Sequence, residues 1–498
     1  MDKTLDRKKR FWAGLTAGYF AFGANLVYTL VSVPLALHFL PRAEFGLWVL
    51  VTQVASYLML LDLGMTSSAA RFLADHKDSM QKGEYGNILQ TGRRVFWAQS
   101  FFIFLLALAG AWALPGFLEI PRDKLAMFQT LLAGQGLILA VGLALRGESS
   151  PLWAHQRTDI THWATSANLL TSLTTMAGGF LMGWGIYSFL LGSALGSLWS
   201  WLFPWVCCRR LHLFPRGPGR GTFQLALFLR MIRFGRDVFM MQLGGLLCAA
   251  SPVILVTKFL GLDAAAVYAV ATKALSMGQQ LIGRILESAA PGLTELFVRG
   301  ERERFAFRFY QITATSIALA TVLGILLMGI NREFISVWTH GKVGWSFQGD
   351  AILGAILIST VASRCFQGAF GMTGDFAKVR HLSLLEGIFL VLCAFALRGQ
   401  GGVDGVLGIV LLANCISLFG GGFQLARVVS GDLFWRKMAM LSPAYYISLA
   451  VAFGWADRFC SGPMSRIALT LVGAASGGYF LWLEMRAFFK NQAKASRA

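Results

Sequence analysis

Lys273, Gln280 and Arg284 follow one another at spacings of seven and four residues. At about 100° per residue that spacing puts all three on one face of a helix, with Ser276 and Glu287 close beside them. Two cations and an amide on one stripe can hold an anion. Lys273 lies roughly 14 Å from the outer end of its apolar segment at ~1.5 Å per residue, near the middle of a hydrocarbon core about 30 Å thick. No carboxylate stands within four residues of it, and an unpaired ammonium at that depth is costly. Arg284 has an alternative, which is to pair with Glu287 or to snorkel to the inner surface. Arg364, in the inner half of a later segment, and Arg71, at the inner end of the second, have the same alternative. In the first half of the chain Gln53, Ser56, Gly64, Ser67 and Arg71 share the corresponding face, and Asn25, Thr29 and Ser32 form a stripe on the first segment. Asp62 reads equally as a helix-packing acid and as a partner for a cation across a cavity.

This set favours an anionic substrate. A proton- or sodium-coupled exporter of cations would need carboxylates inside the membrane, and Asp62, Glu287 and Glu386 are the only ones not plainly at a segment end. No P-loop is present, which argues against an ATP-driven pump in this chain. A membrane glycosyltransferase would need acids in an outer loop. Asp263 and Asp350 are candidates for that role, but the outer loops are short. The seven cysteines show no CxxC or Cys/His spacing, so neither a metal nor a disulfide framework is expected, and no cofactor.

The elements that must position these residues are membrane spans. Of 498 residues 56% are hydrophobic and 14% charged, where a soluble chain carries about 25% charge. Apolar stretches of about 20 residues, long enough to span a bilayer, recur throughout. They predict an all-α protein of about fourteen transmembrane helices. Twelve lie at about 11–40, 46–71, 95–115, 125–146, 163–184, 186–207, 237–260, 264–294, 306–330, 350–372, 380–398 and 403–426. Two more lie at about 438–456 and 466–486. The net charge of +19 does not point to nucleic acid, because most Lys and Arg fall in the termini and alternate loops. That asymmetry places both termini in the cytoplasm, with the basic loops facing anionic membrane lipids. The basic start runs into the first span with no small-residue cleavage site, so no cleaved signal peptide is expected.

The chain divides into a first six-helix bundle (1–208), a basic interfacial linker (209–236), a second six-helix bundle (237–430) and two extra helices with a cytoplasmic tail (431–498). The linker contains FPRGPGRG, which cannot be a helix interior. Thr222 to Arg236 reads as an amphipathic helix in the membrane surface, with Phe223, Leu227 and Phe234 toward lipid. The alternative is an extended start of the following span. An offset of about 220 residues sets Phe39-Leu40 on Phe259-Leu260, Thr52 on Thr272 and Ser56 on Ser276. Six spans per half would make these parallel repeats. In that alignment Gln53 stands where the second half has Lys273.

VPLALHFLPRAEFGLWVLV, then LLDLGM with Arg71 just beyond, then VYAVATKAL, ESAAPGLTELF and FISVW resemble the polysaccharide flippases. These are O-antigen-type members of the multidrug/oligosaccharidyl-lipid/polysaccharide exporter superfamily. The resemblance runs from about residue 10 to 430. It implies two six-helix bundles around a central cavity, with two C-terminal helices added. The implied cargo is an undecaprenyl-pyrophosphate-linked glycan, moved from the inner to the outer leaflet of the bacterial inner membrane by alternating access. A polysaccharide polymerase would act beside it. In such flippases basic residues line the cavity. The positions here that match are Lys273, Arg284 and Arg364, with Arg71 at the inner mouth. Asn25, Gln53, Ser56, Asp62, Ser276 and Gln280 would be polar lining. Motifs of the peptidoglycan-precursor branch are not seen. A multidrug exporter of the same fold and a membrane glycosyltransferase or ligase are the alternatives.

Overall fold

A computed structural model describes residues 3–77, 83–215, 217–373 and 376–426. The two C-terminal spans expected from the sequence lie outside these. Every regular element among the described residues is helical. The chain forms two compact units that meet between Ala266 and Val267.

The first unit begins with α1 (Lys3–Phe39), whose helix extends back through the basic start of the chain. Pro41, extended at φ −58° and ψ 149°, ends the turn before α2 (Arg42–Leu58), and Glu44 lies in that helix's positively polarised first turn. The second span is then interrupted. A 3-10 turn covers Met59–Asp62, Leu63 and Gly64 are both left-handed, and the helix resumes as α3 (Met65–Asp75). Gly64, at φ 73°, lies so close to Gly235 that a Cβ would run into that residue's backbone. Only glycine meets both conditions without strain. Next come α4 (Glu84–Leu118), α5 (Leu125–Ala144), α6 (Arg146–Ala154), α7 (Thr158–Leu181), α8 (Tyr187–Arg210) and α9 (Leu225–Leu260). α1 packs on α7, α7 on α8, α4 on α5, and α9 lies against α2, α3 and α4.

α9 corrects the reading of the linker. Residues 225–236 are its first three turns rather than a separate surface helix. Phe223 and Leu227 are partly buried rather than fully turned outward. They pack on a core that includes Phe72, Leu89 and Val95, while Phe234 meets the edge of the Phe72 ring at 6.1 Å. Amphipathic periodicity identifies an apolar face. It does not say whether lipid or a neighbouring helix covers that face.

The second unit follows α10 (Leu262–Ala271), which carries the unit boundary. It comprises α11 (Lys273–Val298), α12 (Arg302–Trp338), α13 (Phe347–Thr373), α14 (Phe376–Leu397) and α15 (Gly402–Ala426). α13 is its centre and packs on α11, α12, α14 and α15.

Ten helices among the described residues are long and apolar enough to cross a membrane. Two of the twelve spans expected over this stretch are not among them. One is α7, which carries many Thr and Ser. The other is α10–α11, which is broken at Thr272 and bears Lys273, Arg284 and Glu287. Many apolar side chains point outward. On α4, Trp97, Phe101 and Trp112 are 62%, 61% and 78% exposed, an apolar surface of the kind lipid covers favourably.

Candidate functional site

In the second unit the cations form a ladder rather than a cluster. Lys273 opens α11, and its carbonyl accepts the Ser276 hydroxyl at 2.8 Å. Its ammonium has no carboxylate within 4.0 Å among the described residues, and its side chain is half-buried. Arg284 lies three turns further on, about 16 Å along the axis at ~1.5 Å per residue. It is half exposed and bonds Glu287 at 3.3 Å, so the pairing open to it from sequence is the one adopted. Gln280, between them, is exposed. Arg364 comes from α13 to the same turn as Arg284. Its Nη1 stands 3.9 Å from the point a Cβ on Gly283 would occupy. Two guanidiniums therefore come near the middle of α11, with Lys273 at its first residue.

The first unit places its candidates differently. Asn25 on α1 and Gln53 and Ser56 on α2 are half-buried, and the Ser56 hydroxyl is spent on the Thr52 carbonyl at 2.9 Å. Arg71 on α3 is 67% exposed and 3.5 Å from Asp75. Asp62 is buried at the break in the second span. Its carboxylate accepts from the Thr66 backbone N–H at 3.2 Å and from the Thr66 hydroxyl at 2.7 Å. It thereby satisfies a donor in the first turn of α3, as a capping carboxylate does. Arg146 donates to the same hydroxyl at 3.3 Å, and Gln99 donates to the Asp62 carbonyl at 3.0 Å. The geometry gives Asp62 hydrogen bonds at the helix break and brings the cationic Arg146 to the same Thr66 hydroxyl.

Sequence reasoning passed over Arg146. It stands at the end of the fourth span, where it reads as an ordinary flanking cation. The chain bends there from α5 into α6 and turns Arg146 inward. With Gln135, Ser149, Ser197 and Ser200 it lines a cavity of about 220 Å³ inside the first unit. The signal was RGESSP, a polar run with a proline just after an apolar stretch.

Two further buried acids have hydrogen-bond partners, although Asp350 Oδ2 has none among the described residues. Asp350 is fully buried, and its Oδ1 accepts from Asn331 and Trp345, each at 2.7 Å. Glu386 accepts the hydroxyl of buried Ser417. Asp263 is exposed and 3.9 Å from Arg42. No group of three or more metal-ligating side chains occurs among the described residues.

Residues 15–297, more than half of the chain, match the family model of polysaccharide biosynthesis proteins, and the chain belongs to that family. No curated protein matches the sequence. Among solved structures, an inward-facing multidrug resistance MATE transporter of the MOP superfamily is similar at a TM-score of 0.69 and 14% identity, covering 81% of this chain and 96% of that one. The lipid II flippase MurJ in an inward closed conformation is similar at 0.68 and 13%, covering 96% and 99%. A MOP-superfamily transporter from Pyrococcus furiosus, described by the reversed polarity of its binding pocket, is similar at 0.59 and 15%, covering 84% and 95%. At these identities the likeness shows the fold alone, one shared with these multi-pass membrane proteins.

Proposed function

We propose that this protein is a flippase for a polyprenyl-pyrophosphate-linked oligosaccharide in the bacterial cytoplasmic membrane, serving cell-surface polysaccharide synthesis by alternating access. The observation that carries this reading is the charge of the second unit's site helix. Lys273 has no carboxylate beside it among the described residues, and Arg364 of α13 reaches Gly283, the residue before Arg284. Guanidinium groups suit a pyrophosphate, because their planar donors match phosphate oxygens. Lys273 adds a compact positive charge deeper in the span. Arg71 in the first unit, together with Asn25, Gln53, Ser56, Ser276 and Gln280, would serve the headgroup and its sugars. Family membership supports the same class of cargo. The basic excess in the termini and alternate loops supports cytoplasmic N- and C-termini.

A cation-coupled multidrug exporter is the competing reading, and the fold is equally compatible with it. Asp62 is engaged by Thr66, whose hydroxyl also receives cationic Arg146, which disfavours a drug cation there. The test is reconstitution in proteoliposomes with two cargoes. Leaflet exchange of a polyprenyl-pyrophosphate sugar without uptake of a lipophilic cation is the expected result. Uptake of the lipophilic cation without movement of the lipid-linked sugar would overturn the reading.

A further inference from the structure

The first unit holds a second basic site that uses none of the residues assigned to transport above. A cavity of about 440 Å³ opens where the chain after α8 folds back on α4. Gln90 and Arg93 of α4, Glu148 of α6, Arg209 at the end of α8, and His212 and Arg220 of the connecting loop line it. The volume is large against the ~30 Å³ a water molecule takes up, so a phosphate ester with part of its hydration fits.

This cavity is a built feature and not a chance fold of a loose loop. The loop is fastened along the first turns of α4. The Tyr85 hydroxyl donates to the Leu213 carbonyl at 3.4 Å, the Thr222 N–H to Asn87 Oδ1 at 2.7 Å, and the Gln224 N–H to the Thr91 hydroxyl at 3.2 Å. Gly86 allows the 3-10 turn Gly217–Arg220 to lie directly on α4, since a Cβ there would meet the backbone of Gly219 and Arg220. Phe214, Pro215 and Arg220, from the breaker-rich run that the transport reading leaves without a role, line the site.

Charge in the cavity does not cancel. Glu148 is taken by Arg93 at 2.6 Å, and the Arg93 guanidinium also sits 5.1 Å from the Phe214 ring centroid. The buried Arg93 Nε–H still has no acceptor among the described residues, and buried donors of that kind ordinarily find one. Arg209 and Arg220 have no carboxylate within ion-pair distance among the described residues. Arg209 is held by stacking on Trp205, 4.1 Å from the ring centroid, so part of its freedom is already lost before any ligand arrives.

We propose that this cavity binds a phosphate-bearing anion, held by Arg209 and Arg220 with Arg93 at the back, as a site additional to the transport pathway. The ligand chemistry is a phosphate mono- or diester. It can come from the headgroup of an anionic phospholipid at the basic face of the membrane or from a soluble phosphoryl compound.

The test uses the full-length protein purified in a neutral detergent, with two probes, short-chain phosphatidylglycerol and inorganic phosphate. Short-chain phosphatidylcholine is the zwitterionic control. Binding is measured for the wild type, for Arg209→Gln/Arg220→Gln, and for Arg210→Gln, which removes a neighbouring charge that does not line the cavity. Removing two charge-assisted contacts is expected to weaken binding of the anionic probe at least about tenfold, with Arg210→Gln close to wild type. Binding of phosphatidylglycerol alone assigns a lipid headgroup, and competition by phosphate at the same site assigns a soluble ligand. Binding of neither probe would overturn the proposal, as would equal binding by the double variant and the wild type, or an equal loss in Arg210→Gln. Because Arg209 and Arg220 are exposed, the double variant is expected to keep the wild-type thermal midpoint, so a loss of binding reads the site itself.

Discussion

Asp62 and Arg284 show how charged residues divide between scaffold and cargo. Asp62 receives two Thr66 donors in a buried setting. Asp62→Ala strands them and is expected to cost about 1–3 kcal/mol, read as a drop in thermal midpoint. Asp62→Asn retains an acceptor and is expected to lose less. Arg284 is half exposed and paired with Glu287. Exposed pairs contribute about 0–1 kcal/mol, so Arg284→Gln is expected to leave the midpoint nearly unchanged while slowing transport of a pyrophosphate-linked cargo. A transport rate equal to wild type in that variant would remove Arg284 from the site and leave it as surface charge.

At the scale of elements, the informative feature is the broken second span of the first unit. Leu63 and Gly64 both take left-handed backbone there, and Gly64 meets Gly235 of α9. Gly64→Ala faces both a positive φ and a backbone clash, and strain of this kind costs about 1–3 kcal/mol. A lowered midpoint is the expected outcome, and a midpoint equal to wild type would show that α9 moves aside freely. The apolar segments were legible in the sequence because an uncharged run of about twenty residues is the length a bilayer demands of a helix. The helical stripe of Lys273, Gln280 and Arg284 was legible too, since spacing alone determines a shared face. Three things were not legible. The inward turn of Arg146 depends on the α5–α6 bend, and the docking of Phe223 and Leu227 depends on which neighbour covers an apolar face. The approach of Arg364 to Gly283 depends on the packing of α13 on α11. Each is a tertiary contact that one-dimensional periodicity does not encode.

At the scale of the whole molecule, this is a basic membrane protein whose charge has more than one task. Most of the 44 Lys and Arg fall in termini and alternate loops and would orient the chain. A few stand on helix faces and would hold cargo, and Arg209 and Arg220 wall a separate cavity. The orientation is checked with single cysteines in a cysteine-free background. Leu211→Cys is expected to react with a membrane-impermeant reagent only from the cytoplasmic side, and Ile120→Cys only from the outside. The reverse pattern would invert the topology and with it the direction of transport. The central claim, that cations of the second unit hold an anionic headgroup, is tested most directly by the rate of leaflet exchange of a polyprenyl-pyrophosphate sugar in proteoliposomes made with wild type, Lys273→Ala or Lys273→Arg. At least about a tenfold fall is expected for Lys273→Ala, equivalent to about 1.4 kcal/mol, with partial recovery in Lys273→Arg. An exchange rate in Lys273→Ala equal to wild type would contradict the claim.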